Sequence, residues 1–427
     1  MTDPDTRTDR RCLEPEQDLD DVILITVDSW RADYCGFMGG PDDLTPTLDS
    51  LAEDGLVFEN AIAPAPETNS SVATMLTGQY QNPSLESDGT DYTECTRNHM
   101  RTRRSLPQRF GELGYETAAF TANPWTSRYF DFDHDFDHFE DFMEQSLSAG
   151  FVDGGADQRG LIGDVAAQLA NWYQGQDMFM NWEAFYGDVR AWLDGAESPY
   201  FLWLFLVDVH MPYFPPSGYR SRSRLLTYPA NASLFAGQHE LPFESVFRDV
   251  LVDSYEDSIR YTDEFFGQLT ADVGGDPLIA ITGDHGEAFG ENGVYGHGPE
   301  VSEEMLHVPF VVANGPDETV ERPFSLRDLP RLLPRLATGA TFEDLLDTTV
   351  WARNYDPAVA IRGRDWRFEW RPDEQHVEVL ENGEWERRRV PELELLGREL
   401  LESHIEAERE RGRVLDAVDS LAAEAAL

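Results

Sequence analysis

The residues Gly283-Asp284-His285-Gly286-Glu287 and, one short loop later, Gly296-His297-Gly298 set a carboxylate and two imidazoles among glycines that let backbone close around a ligand. An Asp beside a neutral His is a mixed oxygen and nitrogen donor pair, suited to a divalent cation. The apolar run 278–282 before them has the length of a buried strand. The pair therefore stands at a strand's C-terminal end, where open α/β sheets take their ligands. The same letters also fit a strand followed by an Asp-Gly-rich turn with both histidines solvated. Three further stretches supply partners for the first reading. Residues 22–27 are continuously apolar and end at Asp28, either a second metal-binding carboxylate or the cap of a following helix. Residues 200–207 repeat the apolar run, and His210 follows it in Asp208-Val209-His210-Met211-Pro212-Tyr213. Finally, Thr68-Asn69-Ser70 follows Pro64 and Pro66 and opens an apolar helix to Leu76, closed by Gly78. A hydroxyl at a helix N-terminus meets free N–H groups and the positive end of the dipole, so an anionic ester fits there. Thr68 or Asn69 also serves as a plain N-cap.

The elements that must position these residues alternate along the chain. Helices are expected at 45–54, 68–76, 106–113, 244–271 and 326–336, and strands at 22–27, 56–62, 116–122, 200–207, 278–282 and 307–312. Alternation of this kind specifies an α/β fold, a mixed, mostly parallel sheet flanked by helices. Residues 143–198 read as an insertion with aromatic helices, and 214–242 as a long Pro-rich loop. The acidic run 131–138 lacks the glycine and closing glutamate of a calcium loop and reads as a solvated loop with buried Phe. Stretches 358–361, 366–370 and 377–380 alternate apolar with polar, and Asn382-Gly383 marks a hairpin, so a small antiparallel sheet is expected near the C-terminus. Residues 391–426 read as one or two amphipathic helices whose stripe of Leu393, Leu396, Leu400 and Ile405 docks on the body. The division expected is an acidic tail at 1–20, a catalytic α/β domain at 21–350 and a hairpin subdomain with helix at 351–427.

The chain of 427 residues carries 81 acidic and 33 basic side chains, a formal charge of −48, and every basic one is arginine. With 41% apolar residues and acid spread throughout, disorder is excluded as the explanation. Such a surface repels itself at ordinary salt and is screened when the Debye length falls to about 3 Å at molar salt. Acid without lysine resembles a protein of a salt-accumulating haloarchaeon. A surface so acidic excludes nucleic acid as a partner. Cys12, Cys35 and Cys95 form no metal motif and fit a reducing compartment. The polar N-terminus and the absence of a long apolar run give no signal peptide and no transmembrane segment, so a cytoplasmic protein is expected.

Taken in order, these pieces resemble the sulfatase family of the alkaline phosphatase superfamily over roughly residues 21–336. The carriers are Leu24-Ile25-Thr26-Val27-Asp28-Ser29-Trp30-Arg31-Ala32-Asp33, the Thr68 helix ending in Thr77-Gly78, His210-Met211-Pro212-Tyr213, Gly283 to Glu287 with His297-Gly298, His307-Val308-Pro309-Phe310 and Ser325-Leu326-Arg327-Asp328-Leu329. The resemblance implies that Asp28, Asp284 and His285 hold one divalent ion (Ca, Mg or Mn). It makes Thr68 both ligand and nucleophile. His210, His297 and Arg31 would bind the ester anion, and a histidine would protonate the leaving oxygen. Three departures bear on the chemistry. Thr68 stands where many sulfatases oxidise a cysteine to formylglycine. Val72 replaces a basic residue, and no lysine is available to contact sulfate. The expected activity is hydrolysis of a small-molecule or glycan sulfate or phosphate ester. Two alternatives stand beside it. One is transfer of a phosphoglycerol- or phosphoethanolamine-type group, the Thr-dependent branch of the superfamily. The other is a silent binding protein in which Val72 and Ser29 have weakened the site.

Overall fold

The computed structural model describes residues 19–81, 92–143, 179–236, 244–354 and 357–425. Residues 1–18 of the expected tail, and Trp172 and Tyr173 of the expected insertion, lie outside the described residues. The central strand is β1 (Val22–Val27), all six residues buried. It is followed in the chain by β2 (Leu56–Phe58), β3 (Ala61–Ile62), β4 (Glu116–Thr121), β5 (His138–Glu140), β6 (Tyr200–Leu206) and β7 (Leu278–Gly283). The short β8 (Ala288–Phe289) and β9 (Tyr295–Gly296) pair with each other, and β10 (Phe310–Ala313) and β11 (Glu318–Val320) return to the main sheet. That sheet has eight strands in the order β11-β2-β10-β7-β1-β6-β4-β5. Strand β1 runs parallel to both neighbours, with Val22 opposite Phe201 on one side and Leu278 on the other. Only β10 is antiparallel to its neighbours, β7 and β2. The mixed, mostly parallel α/β architecture expected from the alternation is the one observed.

A parallel strand is apolar on both faces because helices cover both. After the helix α1 (Pro46–Glu53) comes α2 (Thr68–Thr77); Val22 and Leu24 enter one core with α2 and with Phe58, Trp203 and Leu333. Ile23, Ile25 and Val27 enter the other, where Tyr255, Ile259 and Phe265 come from the 29-residue helix Glu244–Asp272. Since β7, β1, β6 and β4 are neighbours with one direction, their C-terminal ends deliver residues along one edge of the sheet. Asp284 and His285 follow β7, Asp28 follows β1, His210 lies beyond β6, and Asn123 follows β4.

The C-terminal portion forms a separate five-stranded antiparallel sheet between Val350 and Arg388. Its apolar face (Val359, Ile361, Phe368, Val377) packs on Leu401 of the helix Pro391–Ala425. Its other face meets the main body, where Val350, Ala352 and Ala360 join the main core beside charged side chains. There Glu303 bonds Arg362 through both carboxylate oxygens, at 3.0 and 3.1 Å, and the Arg362 guanidinium lies 4.3 Å over Trp385.

Two expectations need correcting. The stretch 214–242 is not all loop, because Arg224–Ala236 is helical with Pro229 inside it. Tyr228, Ala230, Ala232 and Leu234 are buried there, and that burial overrides the hydrogen bond that proline removes. The expected strand at 56–62 is two short strands, because the chain turns at Glu59-Asn60 and β3 joins a different sheet, pairing with Phe324–Ser325. Among the described residues no helix is long and apolar enough to cross a membrane.

Candidate active site

Asp28 is completely buried at the end of β1. Ser29, with a left-handed backbone (φ 59°), turns the chain so that its N–H donates to Asp284 Oδ1 at 3.1 Å and its hydroxyl to Asp28 Oδ1 at 3.2 Å. The His285 N–H donates to the same Asp284 oxygen at 2.8 Å. Ser71, on the inner face of α2, donates to the Asp284 carbonyl at 2.6 Å and ties the helix to the strand end. Gly286 must be glycine, because a Cβ there would lie 1.9 Å from the Glu304 carbonyl oxygen.

Thr68, the first residue of α2, places Oγ1 3.4 Å from Asp28 Oδ1 and 3.2 Å from His285 Nε2. His285 Nδ1–H donates to the Gly286 carbonyl at 2.8 Å, which fixes the tautomer and leaves Nε2 with its lone pair. That nitrogen lies 3.6 Å from Asp28 Oδ1 and from Asp284 Oδ2. Asp28, Thr68, Asp284 and His285 thus converge at one point.

The charges at this point are unbalanced. Burial raises the Asp28 carboxyl above its usual range. Burial and the neighbouring Asp28 raise that of Asp284 well above it. Burial and the charge of His297 push His285 down to about 3, so it contributes no cation. Asp284 Oδ2 is buried without a hydrogen-bond partner. Two crowded carboxylates, an orphaned oxygen, an imidazole lone pair and a hydroxyl form a donor set that a divalent cation fits.

His297 directly follows β9. Its ring centroid lies 4.8 Å from that of His285 and 4.9 Å from that of His210. Burial opposes its charge most strongly, but Glu287 at 3.1 Å from Nδ1, together with Asp28 and Glu67, outweighs it and lifts the imidazole to about 9. Glu287 is itself held by the Tyr213 hydroxyl at 2.9 Å. His210 donates from Nδ1 to the Met211 carbonyl, and burial and His297 push it down to about 3. The trio therefore holds one imidazolium and two neutral imidazoles.

Arg31 is placed differently from the expectation that it binds the ester. Its guanidinium bonds both oxygens of Asp33, Glu291 Oε1 at 2.9 Å and the Glu287 carbonyl at 3.0 Å, and none of its hydrogen bonds goes to Asp28, Thr68, Asp284 or His285. With every prong taken by acid or carbonyl, it holds the Glu287 loop instead. Val72 is buried in the apolar core behind α2.

Sequence reasoning missed Asn123, whose Nδ2 donates to Asp28 Oδ2 at 2.5 Å. It follows β4 at the same sheet edge, so the strand-end rule applied to Thr121-Ala122-Asn123 finds it. Glu287 stands inside the Gly283–Glu287 motif, but the motif alone assigns it no role, and its bond to His297 supplies one.

A family model described as "Sulfatase" matches residues 20–328. An ulvan-active sulfatase from Formosa agariphila is 24% identical over 367 residues, an alignment covering 79% of this chain and 65% of that protein's length. The phosphonate monoester hydrolase of Agrobacterium radiobacter shares the fold with a TM-score of 0.62 at 18% identity, covering 91% of this chain and 96% of that one. The soluble domain of lipooligosaccharide phosphoethanolamine transferase A from Neisseria meningitidis shares it with a TM-score of 0.51 at 15% identity, over 76% of this chain and 90% of that one.

Proposed function

The chain belongs to the sulfatase family, and from that premise we propose that it hydrolyses sulfuric or phosphoric esters with Thr68 as nucleophile and a divalent cation held by Asp28, Asp284, His285 and Thr68. The observation that carries this reading is the approach of Thr68 Oγ1 to His285 Nε2 at 3.2 Å beside an orphaned Asp284 Oδ2. When bound, a divalent ion neutralises charge on the transferred group and lowers the pKa of the hydroxyl.

The chain's own residues do the rest. Thr68 opens α2, so the positive end of the helix dipole lies behind the ester anion. The Thr68 oxygen attacks sulfur or phosphorus, and the bond to the leaving oxygen breaks. The imidazolium of His297, with Nδ1 held by Glu287, offers its Nε2 proton to that oxygen. We assign the proton of Thr68 to His210, the neutral imidazole whose ring centroid lies 4.9 Å from that of His297. In the second half, water attacks the adduct and passes a proton to His297, the bond to Thr68 breaks, and the proton held by His210 returns to restore the hydroxyl.

Thr68 has a single hydroxyl, so its adduct cannot expel the group by itself as an aldehyde hydrate can, and an outside nucleophile must attack at sulfur or phosphorus. Phosphate esters and diesters are therefore expected to turn over faster than matched sulfate esters. The test is turnover of 4-nitrophenyl sulfate, phosphate and methyl phosphate in molar salt, with and without chelator. Chelator-sensitive turnover of one or more supports the reading, and absence of turnover with every added cation contradicts it. An alcohol replacing water would give transfer instead. An acceptor-linked product, found when an alcohol such as glycerol is included, would reveal it.

A further inference from the structure

Of the segment His210-Met211-Pro212-Tyr213, the proposed reaction uses only His210. Tyr213 at the other end is buried and held at several points. Its N–H donates to Asn231 Oδ1 at 2.9 Å. Asn231, fully buried on the helix Arg224–Ala236, is itself fixed by a bond to the Thr227 carbonyl at 2.9 Å. The phenol ring packs on Tyr255 and Phe289, with centroids 5.5 and 5.8 Å away. Close packing leaves the hydroxyl little freedom, and it donates to Glu287 Oε2 at 2.9 Å. Burial, and then the charge of Glu287, raise the phenol well above its usual range, so it stays protonated and stays a donor.

The Glu287 side chain is fully buried, and each of its oxygens has one partner. Oε2 accepts from Tyr213, and Oε1 lies 3.1 Å from His297 Nδ1. Its main chain is held separately, since its carbonyl accepts from Arg31 at 3.0 Å. The carboxylate cannot turn without breaking one of these bonds. A carboxylate on one ring nitrogen fixes the orientation of an imidazole and decides which nitrogen is left to give a proton. Tyr213, Glu287 and His297 therefore stand in series. The hydrogen bonds of Tyr213 go to Asn231 and Glu287, and none goes to Asp28, Thr68, Asp284 or His285.

We propose that Tyr213 is a positioning residue for the leaving-group acid, fixing the His297 ring through Glu287 so that the Nε2 proton meets the leaving oxygen. The inference rests on the ester-hydrolase reading of the same site. One proton moves from His297 Nε2 to the leaving oxygen as that oxygen's bond to sulfur or phosphorus breaks, while Tyr213 keeps its proton and Glu287 stays a carboxylate. Tyr213 then matters in proportion to the leaving oxygen's need for a proton. A phenoxide needs it. A 4-nitrophenoxide, whose charge spreads into the nitro group, needs it far less.

The experiment compares phenyl and 4-nitrophenyl esters of the acid that turns over best, in wild type and Tyr213→Phe. The variant removes one oxygen and keeps the ring on Tyr255 and Phe289. It is expected to lower kcat/KM for the phenyl ester about 10- to 100-fold and for the 4-nitrophenyl ester by no more than about threefold. In a Glu287→Gln background, adding Tyr213→Phe should change either value by less than about twofold, because the two residues act through one bond. A spectroscopic readout needs no turnover: nuclear magnetic resonance of isotope-labelled histidine. The Nδ1–H resonance of His297, identified by its loss in His297→Gln, should move in Tyr213→Phe. Equal losses on the two esters, additive losses in the double variant, or an unmoved resonance overturn the proposal while leaving the hydrolase reading in place. Absence of turnover of every ester by the wild type overturns the hydrolase reading, and this assignment with it.

Discussion

Asn123 Nδ2 donates to Asp28 Oδ2 at 2.5 Å, from the end of β4 to the end of β1 across the intervening β6. The bond occupies one carboxylate oxygen and leaves the other facing Thr68 and His285. Partners that orient a ligand in this way change cation affinity about 10- to 100-fold when removed. Asn123→Ala is expected to weaken binding of the activating cation by that factor, read by calorimetric titration. An unchanged affinity would mean that the bond orients nothing.

Asp28 and Asp284 repel each other in a buried site, and burial already raises both carboxyls. A cation that binds only the folded chain stabilises it by mass action. Millimolar divalent ion at constant ionic strength should therefore raise the melting temperature of the wild type. Asp284→Asn, freed of the repulsion, should melt at or above the metal-free wild type and gain nothing from the ion. Equal shifts in both proteins would place the binding elsewhere.

The ion pair between the body and the C-terminal sheet sets an acid limit. Burial works against the Glu303 carboxylate, but Arg362, His307 and Arg367 outweigh it and hold its pKa down to about 2, against 4.5 unfolded. A depressed carboxyl contributes stability that is fully present above the unfolded value and lost as pH falls through the folded one, here between about 4.5 and 2. Glu303→Gln leaves Arg362 buried without its carboxylate, at a cost of about 3–5 kcal/mol. Denaturant titrations at pH 7 and pH 3 check this. The variant's deficit should be large at pH 7 and smaller at pH 3.

His297 gives the opposite sign. Its value is raised to about 9, so the protonated form is fully present below the ordinary 6.5 and is lost as pH rises through 9. If it protonates the leaving oxygen, kcat/KM falls on the alkaline side at or below pH 9, since a neighbouring cation lowers that value. His297→Gln should flatten the limb, most clearly with a poor leaving group. A limb that persists in the variant would assign the proton to another group.

With a formal charge of −48, folding should require screening. Circular dichroism from 0.1 to 4 M KCl is expected to show a cooperative melt only at the upper end. A native signal with a cooperative melt at 0.1 M would contradict the salt requirement.

Much of the fold and of this site was legible because the chemistry sits at strand ends. Apolar runs such as 22–27 and 278–282 mark strands without ambiguity, and parallel topology alone puts the next residues, Asp28 and Asp284, on one sheet edge. Asn123 was missed because an amide after a strand reads as a turn residue, and only the register of β4 against β6 and β1 reveals its reach. Arg31 was misplaced because sequence gives its neighbours but not its partners, Asp33 and Glu291, one of which is 260 residues away. The helix at Arg224–Ala236 was hidden by Pro229, whose cost is visible in sequence while the burial that offsets it is not.

The central claim is that Thr68 forms a bond to the transferred group. Wild-type enzyme in molar salt with activating cation, mixed with the best aryl ester and quenched in acid within milliseconds, should yield one peptide heavier by a single phosphoryl or sulfuryl group. Fragmentation should place that group on Thr68, and Thr68→Ala should lose both the adduct and turnover. A Thr68→Ala enzyme that keeps near-wild-type turnover would show that the residue serves at most as a ligand and that the nucleophile lies elsewhere.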